Sequence, residues 1–109
     1  MYSAIIIDDE LKSVNYLRGL IETHLPEIEL KGVAHNLEDG IALINKVQPK
    51  IVFLDIELHS TTGFNLLSQL EKINFLVIFT TAHEQYALKA IKFAALDFLL
   101  KPIDQDELK

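Results

Sequence analysis

An α/β fold, with a doubly wound sheet of five parallel strands and helices on both faces, is predicted by two features of this sequence. Short apolar runs alternate with longer stretches of helical period, the pattern of repeated βα units. Three of the runs, Ala4–Asp8, Ile51–Asp55 and Leu76–Thr81, are almost continuous Ile, Val, Leu and Phe. Such runs belong to central strands buried on both faces.

In chain order, the strands are expected at Ala4–Asp8, Glu29–Ala34, Ile51–Asp55, Leu76–Thr81 and Asp97–Leu100. Val14, Leu17, Ile21 and Leu25 recur at spacings of three and four, as do Leu37, Ile41, Ile44 and Val47, so each set predicts an amphipathic helix. The first stops before Pro26 and the second before Pro49. Phe64, Leu67 and Leu70 predict a third helix after Gly63, and Tyr86 to Phe93 a fourth, alanine-rich and less firmly anchored. The ending Asp104-Gln105-Asp106-Glu107-Leu108-Lys109 reads as the first turn of a fifth helix with Asp104 as its cap, and that last helix is expected to be truncated. Short right-handed crossovers restrict such a chain to a doubly wound sheet, with the flavodoxin-like order 2-1-3-4-5 as the expected instance.

The chain's 109 residues, half of them apolar, suit one compact domain spanning residues 1–109. With no cysteine, disulfides and thiolate metal sites are excluded, and four scattered histidines do not suggest zinc. A net charge of −6 with no Lys/Arg cluster argues against nucleic-acid binding by this segment itself. There is no basic leader and no apolar run near the ~20 residues of a membrane span, so a cytoplasmic location without membrane contact is expected.

The polar residues gain meaning from their positions on the strands. Asp8 and Asp9 close the first strand, Asp55 the third and Thr81 the fourth, and Lys101 follows the fifth. The carboxyl ends of parallel strands meet at one edge, which is where doubly wound sheets bind ligands. Singly, each residue has an ordinary explanation: aspartate as a helix N-cap, threonine as strand material, lysine as a solvated side chain. Together, three carboxylates repel one another unless a cation intervenes, and hard oxygen ligands select Mg²⁺ or Mn²⁺. Mg²⁺ leaves coordination positions for phosphate oxygens. In that setting Asp55 is a competent phosphoryl acceptor, Lys101 a point charge for a phosphate oxygen, and Thr81 a hydroxyl donor.

With these residues in place, the chain resembles a response-regulator receiver domain over essentially its whole length. The family's acidic pair matches Asp8 and Asp9, its phosphorylated aspartate Asp55, its hydroxyl residue followed by a small one Thr81-Ala82, and its Lys-Pro pair Lys101-Pro102. The resemblance implies direct Mg²⁺ ligation by Asp9 and Asp55, a water-mediated contribution from Asp8, a ligand from the backbone carbonyl of Glu57, and a cis Lys101–Pro102 peptide. It also implies a sensor histidine kinase as phosphodonor and a switch formed by Thr81 and Phe98. The segments Tyr86–Ile91 and Ala95–Pro102 are especially similar to the LytTR subfamily, in which a DNA-binding domain follows the receiver. The expected function is therefore a two-component phosphoacceptor that controls a transcription-regulating output and is not an ordinary enzyme. A homodimer through the face of the fourth helix, fifth strand and fifth helix is expected with it.

Leu58-His59 stands where the family commonly has Met-Pro, and Phe98 where tyrosine is commoner. Three rivals fit less well. A haloacid-dehalogenase-type phosphatase resembles Asp-x-Asp after its first strand, a flavin module needs a Ser/Thr/Gly-rich first loop, and a pseudo-receiver would lack the acceptor or the lysine.

Overall fold

The computed structural model describes residues 1–92, 97–101 and 103. Five parallel strands form the main sheet: β1 (Tyr2–Ile7), β2 (Ile28–Ala34), β3 (Ile51–Asp55), β6 (Leu76–Thr81) and β7 (Asp97–Leu100). They lie in the order β2-β1-β3-β6-β7. Counted along the main sheet alone, this is the expected 2-1-3-4-5 arrangement. Between β3 and β6 the chain adds a small antiparallel hairpin, β4 (Glu57–Leu58) with β5 (Thr61–Thr62), which the apolar pattern does not announce. Ser60 turns it with φ of 63°.

The helices follow the predicted periodicity with some shifts at their ends. α1 (Leu11–His24) buries Val14, Leu17 and Ile21. α2 (Leu37–Val47) begins at Asn36, whose side chain accepts from the Asp39 N–H at 2.8 Å. It ends at Gln48 in the left-handed region, φ 50°, just before Pro49. α3 (Gly63–Ser68) is shorter than the Phe64–Leu70 periodicity predicts and also buries Leu66, which that spacing omits. A 3₁₀ turn at Glu84–Tyr86 leads into α4 (Ala87–Lys92). The expected helix end at Phe93, the Phe98 side chain, Pro102 with its peptide, and the fifth helix with its Asp104 cap lie outside the described residues.

Strand periodicity divides the core between the two faces of the sheet. Ile5, Ile7, Val52 and Leu54 pack with Ile44, Phe64, Leu66, Leu67 and Phe79. Ala4, Ile6, Ile51 and Phe53 pack on the other face with Val14, Leu17, Ile21 and Leu99. Because both faces are covered, β3 is buried at every position, including its last residue, Asp55.

α3 begins hard against the carboxyl end of β3. The Gly63 N–H donates to the Ile56 carbonyl at 2.7 Å, and a Cβ on Gly63 would fall 2.6 Å from the Asp55 carbonyl oxygen and 2.9 Å from Leu54 Cγ. Glycine allows a close approach that any side chain would block. Gly63→Ala is accordingly expected to lose about 2 kcal/mol or more in urea denaturation, because backbone rather than a flexible side chain must give way.

Candidate functional site

Strand register brings the polar residues together. Ile7 lies level with Leu54, and Asp55 level with Thr80. Thr81 lies level with Leu100, so Asp8, Asp55, Thr81 and Lys101 emerge within about two residues of each other along the sheet edge. The Lys101 N–H donates to the Thr81 carbonyl at 2.6 Å, continuing the β6–β7 ladder up to the site. Asp8, Asp55 and Thr81 are buried, while Asp9 is exposed at the rim.

Helix capping does not account for the acidic pair. The residue before α1 is Glu10, whose side chain makes no cap hydrogen bond, and the Asp8 carboxylate instead accepts from the Glu10 N–H at 2.9 Å. Asp55 has a parallel arrangement, its Oδ1 accepting from the Glu57 N–H at 3.2 Å. The other oxygens face a shared cation: Lys101 Nζ donates to Asp8 Oδ2 at 3.0 Å and to Asp55 Oδ2 at 3.2 Å. Lys101 is thus the internal counter-ion of the carboxylates as well as a group aimed into the cleft. Among the described residues, no buried side-chain nitrogen or oxygen lacks a partner.

One ammonium does not fully offset this density of negative charge. Burial, followed by repulsion from Asp8, raises the Asp55 carboxyl from 3.8 to about 7, against the opposing pull of Lys101. Burial pushes the Lys101 ammonium down, but the Asp55 and Asp8 carboxylates outweigh it and hold its pKa above 10.5. The site therefore carries an acid that ionises near neutrality and a lysine that stays charged.

A second cation fits this place. Asp8, Asp9 and Asp55 each present a carboxylate oxygen, and these atoms all lie within 4.8 Å of one another. An all-oxygen donor set of this kind suits a hard divalent ion such as Mg²⁺, which uses one or two carboxylates directly and keeps waters on its remaining positions.

Every expected site residue whose side chain is described lies at this edge, but several neighbours have no sequence signal. Thr81 Oγ1 accepts from the His83 N–H at 3.1 Å. His83 Nε2 in turn lies 3.3 Å from Glu57 Oε1, both side chains being exposed. His35 Nδ1 sits 3.1 Å from the Asp8 carbonyl, and Tyr16 donates its hydroxyl to the Ile103 carbonyl at 3.0 Å. A histidine or tyrosine in a loop or on an exposed helix face leaves no periodic trace from which these contacts follow.

The raised Asp55 pKa gives two expectations. A folded carboxyl with a raised pKa binds more protons than the unfolded one between about pH 4 and 7, so its contribution makes the metal-free protein less stable as pH rises through that window. Unfolding free energies at pH 5 and pH 8 in a chelating buffer are expected to fall with pH in the wild type and to fall less in Asp55→Asn. Mg²⁺ also competes with the proton on Asp55, so its affinity measured by calorimetry is expected to be about tenfold weaker at pH 6 than at pH 8.

Residues 4–109 match a sequence profile of the family described as "Response regulator receiver domain". The chain is 37% identical over 110 residues to the sensory transduction protein LytT of Bacillus anthracis, covering 99% of this chain and 44% of that protein. It is 34% identical to the transcriptional regulatory protein BtsR of Escherichia coli K12, covering 100% of this chain and 46% of that one. The chain thus spans less than half the length of these curated relatives. The crystal structure of the response regulatory domain of protein mrkE from Klebsiella pneumoniae superposes with a TM-score of 0.87 at 27% identity, covering 97% of this chain and 88% of that one. With a profile match across nearly all its residues and an acidic pocket at the carboxyl edge of the sheet, this chain belongs to the receiver domains of two-component response regulators.

Proposed function

We propose that Asp55 accepts a phosphoryl group from the phosphohistidine of a sensor histidine kinase, in a Mg²⁺-dependent transfer. The observation that carries this reading is the position of the Asp55 carboxylate: buried at a strand end, within 4.8 Å of two further acids, and bonded to Lys101 at 3.2 Å. In the transfer an Asp55 oxygen bonds to phosphorus while the phosphorus–nitrogen bond to the kinase imidazole breaks. The electron pair leaves with that nitrogen, which picks up a proton, and an acyl phosphate remains on Asp55.

The residues of this chain have distinct parts in that step. The Glu57 N–H holds one oxygen of Asp55 and so fixes the direction of the carboxylate. Lys101 exchanges its hold on the Asp55 oxygen for an oxygen of the incoming phosphoryl group, keeping its charge where negative charge develops. Asp8 and Asp9 with Asp55, and the backbone carbonyl of Glu57, would hold Mg²⁺ (Mn²⁺ being an alternative). The ion supplies charge neutralisation at the oxygens being transferred. With that charge in place, the burial and the Asp8 repulsion that raise the Asp55 pKa would be offset, and Asp55 would be ionised as the nucleophile.

The phosphoryl group then becomes an acceptor for the Thr81 hydroxyl, drawing the end of β6 inward. The space this vacates lets Phe98 turn inward and shifts α4, whose outer surface with β7 becomes a dimerisation face. The output controlled in this way is a DNA-binding, transcription-regulating domain of the LytTR type. The phosphoacceptor is consumed and regenerated stoichiometrically, with its own slow autophosphorylation and autodephosphorylation.

Incubation with phosphoramidate or acetyl phosphate and Mg²⁺, followed by intact-mass measurement, tests the assignment. A single hydroxylamine-sensitive phosphoryl adduct is expected on the wild type, and none on Asp55→Asn or without the ion. A folded, Mg²⁺-binding protein that takes no phosphoryl group would be a binding module instead. Thr81→Ala is expected to keep metal binding and phosphorylation, and to lose most of the phosphorylation-dependent change on α4 measured by hydrogen exchange.

A further inference from the structure

The loops after β3 and β6 are built alike. Two residues beyond Asp55, the Glu57 N–H donates back to the Asp55 carboxylate at 3.2 Å, and two residues beyond Thr81, the His83 N–H donates back to Thr81 Oγ1 at 3.1 Å. The side chains of those two residues then meet, His83 Nε2 lying 3.3 Å from Glu57 Oε1. The acceptor loop and the hydroxyl loop are therefore tied together at equivalent positions.

His83 also reaches in the other direction. Its ring stands edge-on to Tyr86, with centroids 6.4 Å apart and planes at 73°. Tyr86 closes the 3₁₀ turn that leads into α4, and its N–H donates to the His83 carbonyl at 3.5 Å. Tyr86 packs on Phe64 at 6.0 Å, and Phe64 on Phe79 of β6 at 4.9 Å. Lys89 of α4 covers the Phe64 ring, its Nζ 4.9 Å from the centroid. A continuous path thus runs from Asp55 through Glu57 and His83 to the aromatic residues against which α4 begins.

We propose that His83 is a positioning residue that couples the occupancy of Asp55 to the first turn of α4. The inference rests on the reading of Asp55 as the phosphoacceptor. While Asp55 is free, Thr81 Oγ1 is held by the His83 N–H and the His83 ring by Glu57. When the Thr81 hydroxyl turns to a phosphoryl oxygen, the contact with the His83 N–H is strained or lost, and His83 moves with its loop. Tyr86 and the start of α4 follow through the ring contact. The Glu57–His83 pair is exposed on both sides, so it contributes little to stability, and its removal leaves the fold and the acceptor intact.

Hydrogen exchange over residues 83–92, read by mass spectrometry before and after phosphorylation with phosphoramidate and Mg²⁺, tests this. Intact mass of the same samples reports phosphoryl occupancy. In His83→Ala, occupancy is expected within about twofold of the wild type, while the exchange change falls to less than half. Glu57→Gln, which keeps an acceptor for the His83 Nε2–H, is expected to preserve most of the change, and Glu57→Ala to lose it. A full exchange change in His83→Ala, or loss of phosphorylation in that variant, would overturn the coupling role while leaving the phosphoacceptor assignment standing. Failure of the wild type to accept a phosphoryl group would remove that assignment and this inference with it.

Discussion

Asp8 and Asp55 are buried side by side and share the ammonium of Lys101, and the geometry of the cleft depends on that sharing. Taking carboxylates out of water is costly unless each oxygen finds a partner and the charge is offset. Two backbone N–H groups and Lys101 meet the first requirement; the second is met only in part, as the raised pKa of Asp55 records. The remaining imbalance is a driving force for binding a further cation. The same feature that strains the metal-free protein thus prepares it for a divalent ion and a phosphate.

Parallel strand topology makes this possible at small cost in sequence. Asp8, Asp55 and Lys101 are separated by 47 and 46 residues along the chain, and hydrogen-bonded strand register alone brings them to one edge. The apolar residues on either side of the sheet hold the strands in that register: a slip by one residue would send Ile5, Ile7 and their neighbours to the opposite face. Gly63 then lets α3 begin directly against the Asp55 carbonyl, so the hydrophobic layer of Phe64 and Leu67 packs next to the end of β3.

Features that rest on periodicity were legible in the sequence. β3 and β6 begin and end where their apolar runs do, and the stripes of α1 and α2 face the sheet as their spacing requires. The acids, the threonine and the lysine followed from strand ends alone. What escaped the sequence was set by local backbone geometry or by single long-range contacts. The β4–β5 hairpin spans only two residues on each side and depends on Ser60 adopting a left-handed conformation, for which serine gives no strong signal. α3 stops at Ser68 although its apolar spacing continues to Leu70, because periodicity reports which residues face the core and not where the hydrogen bonds end. His83 reads as an ordinary loop residue until its partners Glu57 and Tyr86 are seen in space.

Lys101 serves as the counter-ion of the metal-free carboxylates, a task suited to a divalent ion as well. Urea denaturation of Lys101→Met beside the wild type at pH 8, with and without Mg²⁺, tests it most directly. Without the ion, the variant should lose about 3 kcal/mol, the cost of leaving buried carboxylates unpaired. Saturating Mg²⁺ should recover much of that loss by stabilising the variant more than the wild type. A variant as stable as the wild type without Mg²⁺, or one that gains no more from the ion than the wild type does, would mean that Lys101 is not the counter-ion that a divalent ion replaces.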